Sequence, residues 1–178
     1  MKVLAFAASS SRQSINKQLV THAVTVLEKE IKENIESELL DLNDFEMPIY
    51  SIDRENEGGI PELAKQFFTK IGEADALIIS FAEHNGTYTA AYKNIFDWAS
   101  RIDSKVFQGK PMVIMSASPG PGGAASVLKT AKKSAPFFGA DIKASFSVAS
   151  YYDVFDSETG QLADAELSNT LRESLAKL

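Results

Sequence analysis

Hydroxyl groups and a cation crowd the first loop of the chain. Ser9, Ser10, Ser11 and Ser14 lie with Arg12 between an apolar run and the start of a helical periodicity. A helix N-terminus binds anions such as phosphate through its free N–H groups and positive dipole end, and these side chains add donors. A helix cap alone needs one hydroxyl, which Ser14 supplies, whereas this loop has four. The loop therefore predicts a phosphate site.

Two later loops are also unusual in composition. Residues 82–88 offer the Glu83 carboxylate, the His84 imidazole and an Asn85-Gly86 turn signal, which suit the polar edge of a planar ligand. Glu83 and His84 are also the residue types of a hydrolytic acid/base pair, although no nucleophile or metal-binding set accompanies them. Residues 118–123 contain three glycines that let the backbone approach a ligand closely, with an ordinary flexible turn as the alternative.

Alternating strands and helices are predicted to hold these loops. Short apolar runs indicate strands, and apolar residues at helical spacing indicate the helices between them. The predicted strands are 2–8, 35–42, 76–81, 111–117 and 141–148, and the predicted helices are 15–32, 61–72, 88–101, 124–138 and 163–178, with a long irregular connection at 43–60. This pattern favours an α/β fold, namely a flavodoxin-like three-layer sandwich with a five-stranded parallel sheet in the order 2-1-3-4-5 and helices on both faces. In that order the three loops meet at one sheet edge, where strand order reverses.

The composition narrows the class of protein. We expect residues 1–178 to form a single domain, since 44% of them are hydrophobic and 24% are charged. The net charge of −6 argues against nucleic acid or anionic lipid as a partner. No apolar run reaches the roughly 18 residues of a membrane span. The absence of Cys excludes disulfides and thiolate chemistry, and with a first strand near residue 2 it favours a cytoplasmic protein.

Known nucleotide motifs and metal sets are absent from the sequence. The first loop matches neither G-x-x-x-x-G-K-S/T nor G-x-G-x-x-G, which disfavours a nucleoside triphosphatase and a Rossmann dinucleotide-binding fold. Only His22 and His84 supply imidazole, so we predict no metal site. His22 lies in the middle of the first predicted helix, where we expect it to be structural or exposed.

The three loops together resemble the NADPH-dependent FMN reductase family of flavodoxin-like quinone, chromate and azo-dye reductases. The first is similar to the family pattern G-S-x-R-x-x-S-x-N, with Ala8, Ser9, Ser11, Ser14 and Asn16 at its positions. The second resembles P-E-Y-N-G-S-Y…K-N-x-x-D-W with its spacing preserved, as A-E-H-N-G-T-Y at 82–88 and K-N-I-F-D-W at 93–98. The third resembles G-K-P…S-P-G with a following glycine pair, at 109–111, 118–120 and 122–123.

Three departures set this chain apart from the family pattern. Ala8 replaces the loop glycine. Ser11 replaces the motif arginine, while Arg12 follows one place later; both changes bear on phosphate affinity. Ala82 and His84 replace the motif proline and tyrosine. Because the family holds the isoalloxazine edge at this point, the His84 change bears on flavin potential or substrate choice.

The resemblance implies FMN as cofactor and NAD(P)H as co-substrate. It implies an oxidoreductase in which hydride passes to flavin N5 and then, in ping-pong order, to a small-molecule acceptor: a quinone, an azo compound, a metal oxyanion or free flavin. No side chain is then expected to be essential as an acid or base, because the flavin carries the chemistry. The residues it implies for cofactor binding are Ser9, Ser11, Arg12, Ser14, Ile15, Asn16, Glu83, His84, Asn85, Gly86, Ser118 and Gly120.

The resemblance also implies a homodimer or homotetramer, with the flavin near a subunit interface. The connection at 43–60 and the helix that bears Trp98 are the candidate contact regions. Two other functions stay open at this point. A non-enzymatic electron carrier of the flavodoxin type would share the fold and react poorly with NADPH. A flavin-free hydrolase or binding module would use Glu83 and His84.

Overall fold

The computed structural model describes all residues from Met1 to Leu178. The strands are β1 (Lys2–Ala8), β2 (Glu36–Leu40), β3 (Ala76–Phe81), β4 (Glu83–His84), β5 (Thr87–Tyr88), β6 (Pro111–Ala117), β7 (Asp141–Val148), β8 (Phe155–Asp156) and β9 (Gln161–Leu162). The α-helices are α1 (Ile15–Val26), α2 (Ile52–Gly58), α3 (Glu62–Glu73), α4 (Ala90–Ala99), α5 (Ala125–Ser134), α6 (Tyr151–Val154) and α7 (Ala165–Leu175). A π-helical turn extends α1 through Leu27–Ile31, and 3-10 turns occupy Leu42–Phe45 and Ala135–Phe138. None of the helices is both long and apolar enough to cross a membrane.

The five long strands form one parallel sheet in the order β2-β1-β3-β6-β7. Numbered among themselves, these strands lie in the order 2-1-3-4-5, so the predicted topology is confirmed. The order reverses at β1, whose two neighbours β2 and β3 both follow it in the chain. The carboxyl ends of β1 and β3 therefore border the crevice where open α/β sheets bind ligands.

Side chains that alternate along the sheet strands build a core on each face. In β1, Leu4 and Phe6 enter the cluster beneath α3, α4 and α5, whereas Val3 and Ala5 enter the cluster beneath α1 and α7. The same alternation places Ile79 on the first face and Ile78 on the second. Burial on both faces explains why these strands are apolar throughout, and it confirms the predicted three-layer arrangement.

The long connection predicted to be irregular contains ordered structure. It holds the 3-10 turn Leu42–Phe45 and helix α2, whose N-cap Ser51 accepts a hydrogen bond from the Arg54 N–H at 3.2 Å. No residue of α2 is buried, so its sequence lacks the apolar periodicity by which a helix is recognised. The prediction of an irregular segment was therefore wrong at this point.

Trp98 of α4 fastens this connection to the body of the protein. The indole is 1% exposed, its Nε1 donates to the Pro48 carbonyl at 2.7 Å, and its ring meets Tyr50 edge-on with centroids 5.0 Å apart. Asn94 adds a bond from Nδ2 to the Met47 carbonyl and accepts one from the Tyr50 N–H at 2.8 Å. The Trp98 side chain is thus buried and bonded within the chain, and it is not available to a partner subunit.

The segment between β7 and α7 received no prediction, and it folds against α1. Helix α6 leads into the antiparallel β8–β9 hairpin, and the Leu162 N–H donates to His22 Nε2 at 3.4 Å. The His22 ring meets Phe155 edge-on at 6.1 Å and is 7% exposed, so of the two predicted possibilities, structural or exposed, the structure shows the first. Burial lowers the pKa of His22, although nearby Glu30 partly opposes this effect.

Candidate functional site

The three unusual loops lie at the carboxyl ends of β1, β3 and β6, which are neighbours in the sheet. They are called here the first, second and third loops: residues 9–14, 82–88 and 118–123. Because parallel strands end on the same side, all three loops converge on one edge. A cavity of about 300 Å³ adjoins the first loop, between Ser10, the 42–49 segment and the start of α4.

The first loop presents unpaired hydrogen-bond donors to solvent. The Arg12 guanidinium is exposed and makes no ion pair or hydrogen bond within the chain. The backbone N–H groups of Arg12, Gln13, Ile15 and Asn16 also have no internal partner. Ser14 caps α1 by accepting from the Lys17 N–H at 3.3 Å. The start of a 12-residue helix and a free cation thus lie together, a combination of donors that suits an anion.

Asn16 connects α1 to two strands of the sheet. Its side chain is 3% exposed, and Oδ1 accepts from the Ser80 hydroxyl at 2.8 Å and the Ala117 N–H at 3.0 Å. Nδ2 donates to the Ala117 carbonyl at 3.3 Å. The amide side chain therefore fixes the helix start relative to β3 and β6. The side chain of Asn16 is therefore not free for a cofactor. The predicted cofactor contact of Asn16 stays a prediction, and its free backbone N–H is the group that could make it.

Thr89 makes a comparable connection that sequence reasoning missed. The side chain is 2% exposed; Oγ1 donates to the Ala8 carbonyl at 3.0 Å and accepts from the Tyr92 N–H at 3.2 Å. It thereby caps α4 and holds this helix against the end of β1. A threonine just before an apolar periodic run is a recognisable N-cap signal, but its bond to Ala8 spans 81 residues and leaves no local trace.

The second loop is a tight β-hairpin rather than the predicted turn alone. β4 and β5 pair in antiparallel fashion around Asn85 and Gly86, with φ of 52° and 80°. Positive φ at both central residues defines a type I′ turn, which the Asn-Gly pair favours. The backbone N–H groups of Asn85 and Gly86 have no internal partner, and the His84 side chain is exposed.

Glu83 reaches from this hairpin to the start of α5. Its Oε2 accepts from the Val127 N–H at 2.8 Å. Adjacent residues of a strand point to opposite faces, so the exposed His84 ring lies on the other side of β4 from this carboxylate. The structure does not assemble Glu83 and His84 as a hydrolytic pair. Burial raises the pKa of the neighbouring Tyr88 above its ordinary value.

The third loop exposes backbone next to open space. Gly120 and Gly122 have ordinary φ, no atom lies within 4 Å of a Cβ placed on either, and neither N–H is bonded internally. Nothing in the chain itself requires glycine at these positions. Gly123 differs, since its φ is +58° and its Cβ would lie 2.8 Å from Ser147 Oγ. Ser118 turns its hydroxyl inward, to the Gly120 carbonyl at 3.1 Å.

The three helix N-termini at this edge differ in what faces them. Ser14 caps α1, Thr89 caps α4 and the Glu83 carboxylate faces α5. Of the three loops that lead into these helices, only the one before α1 contains a cation, the unpaired Arg12. The free donors at the other end of the site are the backbone amides of Asn85, Gly86, Gly120 and Gly122. Such a set fits a ligand with a phosphate at one end and a planar, acceptor-rich group at the other.

The predicted site residues therefore fall into two groups. Residues whose donors or space remain available are Ser11, Arg12, Ile15, His84, Asn85, Gly86 and Gly120. Residues whose side chains bond within the chain are Ser9, Ser14, Asn16, Glu83 and Ser118, of which the Ser9 hydroxyl accepts from the Ser11 N–H at 3.1 Å. All of them lie in or beside the three loops.

The known proteins that this chain resembles include FMN and quinone reductases. Residues 1–153 match the sequence profile of the family described as NADPH-dependent FMN reductase. The chain is 34% identical over 121 residues to a 2-hydroxy-1,4-benzoquinone reductase of a Burkholderia species, covering 67% of this chain and 62% of that protein. It is 28% identical to an NAD(P)H-dependent FMN reductase of Pseudomonas aeruginosa, covering 100% of this chain and 93% of the relative.

One solved structure extends the similarity to the fold. FerB, a flavoenzyme NAD(P)H:(acceptor) oxidoreductase from Paracoccus denitrificans, superposes with a TM-score of 0.74 at 24% identity. The match covers 98% of this chain and 92% of FerB. The flavodoxin-like architecture of this chain is shared with that protein.

Proposed function

The chain belongs to the NADPH-dependent FMN reductase family, and from this premise we propose that it is an NAD(P)H-dependent oxidoreductase that binds FMN at the three loops and reduces a small-molecule acceptor. The observation that carries the proposal is the start of α1, where free N–H groups stand beside the unpaired Arg12. The loops before α4 and α5 contain no Lys or Arg, and the start of α5 already faces the Glu83 carboxylate. The free cation therefore favours the start of α1 as the place where the phosphate end of the cofactor would bind.

The residues present fit FMN at both ends. Ser11, Arg12 and the N–H groups of Ile15 and Asn16 would hold the phosphate, with Ser9 and Ser14 shaping the loop around it. The free amides of Asn85, Gly86 and Gly120, with the His84 imidazole, would hold the isoalloxazine ring. Open space over Gly120 and Gly122 leaves room for the ring to approach the backbone.

Bound FMN supplies hydride chemistry between NAD(P)H and an acceptor, and the protein supplies binding and orientation. Backbone N–H groups directed at the ring would stabilise negative charge on it. Glu83 accepts from the Val127 N–H and His84 lies on the other side of β4, which supports the absence of an acid/base pair between them. We therefore propose that no protein group is essential for proton transfer.

A quinone is the acceptor class with the most support. The Burkholderia relative is named for reduction of a benzoquinone. The finer features of the proposal, namely a single FMN-binding domain over residues 1–178, ping-pong order and cytoplasmic location, follow the family resemblance and the absence of Cys.

Steady-state kinetics test this function. Initial rates of NADPH oxidation are measured at several fixed concentrations of 1,4-benzoquinone. Ping-pong order predicts parallel double-reciprocal lines. Intersecting lines would reject that order, and failure to oxidise NADPH or NADH with quinone, azo dye, chromate or free flavin would reject the reductase assignment.

A further inference from the structure

Glu83 joins two of the loops that form the site. It lies in β4 of the second loop, and its carboxylate accepts from the N–H of Val127, the third residue of α5, at 2.8 Å. The first N–H groups of a helix have no partner within the helix, so a carboxylate at this point satisfies one of them and interacts well with the helix dipole.

Helix α5 cannot obtain this cap from its own sequence. The residue before the helix is Ala124, which has an apolar side chain and a left-handed backbone with φ of 56°. The preceding Gly123 is also left-handed and is packed against Ser147. By contrast, α1, α4 and α7 are capped by their own Ser14, Thr89 and Asp164. The cap of α5 therefore comes from another loop, 44 residues earlier in the chain.

The bond joins the elements that carry two sets of backbone donors. On one side of it lie the Asn85 and Gly86 amides of the hairpin, and on the other lies the glycine-rich turn that enters α5. Both sets belong to the ring end of the proposed flavin site. The phosphate end, at α1, is connected to the sheet by Asn16 instead.

We propose that Glu83 is a positioning residue for the flavin ring: it does not touch the cofactor but holds the second and third loops at the separation the ring requires. This inference rests on the proposed function. Loss of the bond should weaken binding of any ligand that carries the ring, whether or not the ligand carries a phosphate.

The test compares FMN with riboflavin, which has the same ring and no phosphate. Dissociation constants of the full-length chain are measured by flavin fluorescence for the native protein and for Glu83→Ala. We expect the dissociation constants of FMN and riboflavin to rise by the same factor, about tenfold for loss of a charged hydrogen bond. Asp164→Ala is the matched control, because Asp164 Oδ1 caps α7 through the Leu167 N–H at the same 2.8 Å. It should lower the thermal midpoint and leave both constants unchanged.

Two conservative variants keep the test decisive if Glu83→Ala does not fold. Glu83→Gln retains an acceptor of the same reach and should restore affinity for both flavins to within about threefold of native, since a neutral bond is weaker than a charged one. Glu83→Asp retains the charge but shortens the side chain, and should weaken both flavins.

Three results would overturn the inference. Unchanged constants for both flavins in Glu83→Ala or Glu83→Asp, with a lowered midpoint as in Asp164→Ala, would make Glu83 a helix cap and nothing more. Weakening of FMN alone would place its effect at the phosphate. If the native chain bound neither flavin, the proposed function would be rejected, and this inference, which rests on it, would be rejected as well.

Discussion

Single side chains in this protein divide into those that remain free for a ligand and those that hold the loops in place. Arg12 belongs to the first class, because it is exposed and unpaired beside the start of α1. Asn16, Glu83 and Thr89 belong to the second, because their oxygens bond to other elements of the chain. Residue type revealed the polar character of the site, whereas this division required the bonds themselves.

Replacing Arg12 distinguishes binding of the FMN phosphate from binding of the flavin ring. Arg12→Ala should weaken FMN about tenfold, the cost of one charged hydrogen bond, and leave riboflavin unchanged. The loss should shrink as salt rises, because the interaction is exposed. Fluorescence titrations at two ionic strengths measure both effects, with Lys177→Ala as a control for the loss of one exposed cation. Equal weakening of both flavins would place Arg12 away from the phosphate.

His22 makes the stability of the fold depend on pH. Burial lowers its pKa in the folded state, so the unfolded chain binds more protons as pH falls below the ordinary histidine value near 6.5. This contribution to stability is present above pH 6.5 and is lost as pH falls, with Glu30 reducing and Arg172 adding to the effect. Protonation of Nε2 also breaks the bond from the Leu162 N–H.

Thermal midpoints at pH 7 and pH 5 measure this effect. The native chain should lose more stability over that interval than His22→Gln, which keeps an acceptor for Leu162 and does not titrate. His84→Gln, at an exposed position, should behave like the native chain. Equal losses in the native chain and His22→Gln would show that His22 does not govern the pH dependence.

At the scale of elements, predictability followed the strength of local patterns. The five sheet strands and their order were predicted because apolar runs and strand–helix alternation are local signals. The β4 and β5 strands have two residues each, too few to show an alternation, so only the turn between them was recognised. Helix α2 and the segment 149–162 were missed because their helices and strands are short and mostly exposed.

The loops of the candidate site were likewise predictable where a local sequence pattern marks them, and the bonds between the loops were not. The hydroxyl-rich loop, the Asn85-Gly86 turn and the glycine-rich loop are local sequences that indicate ligand binding. The bonds from Glu83 to Val127 and from Asn16 to Ala117 span 44 and 101 residues. Such contacts exist only once the sheet has formed, and no short-range pattern in the sequence records them.

The connection between β2 and α3 depends on Asn94 of α4. Asn94→Ala removes the acceptor of the Tyr50 N–H and the donor to the Met47 carbonyl, and should cost about 2 kcal/mol of stability. Urea unfolding followed by the fluorescence of Trp98, the one tryptophan of the chain, measures the loss. Cleavage between residues 47 and 60 in limited proteolysis should also become faster.

The matched control for that experiment is Asn56→Ala on exposed α2, which should change stability by less than about 0.5 kcal/mol. A loss of the same size in both variants would show that Asn94 does not anchor the connection.

The whole molecule presents an acidic surface with a few exposed apolar side chains. Ile49 and Ile52, exposed by 74% and 52%, lie on the connection proposed as a subunit contact. Single exposed apolar residues are common on monomers, so exposure alone does not indicate a subunit contact. The position of these two residues on this segment, together with the family resemblance, supports a homodimer or homotetramer. The oligomeric state of the chain is a proposal that rests on those two observations.

Light scattering after size exclusion tests that proposal. The native chain at micromolar concentration should have at least twice the mass of 19.4 kDa, and Ile49→Asp should shift it toward monomer. Phe137→Asp changes an equally exposed residue away from the connection and should leave the mass unchanged. A native monomer, or dissociation by Phe137→Asp alone, would reject the proposed contact.

The most direct measurement is a visible absorption spectrum of the purified chain, recorded anaerobically before and after addition of NADPH. If the chain is a flavin-binding reductase, we expect an FMN absorption band that NADPH bleaches directly to the two-electron reduced form. A flavin band that NADPH leaves unchanged would indicate an electron carrier in place of a reductase. A colourless protein that fails to take up added FMN would contradict the central claim that the three loops form a flavin site.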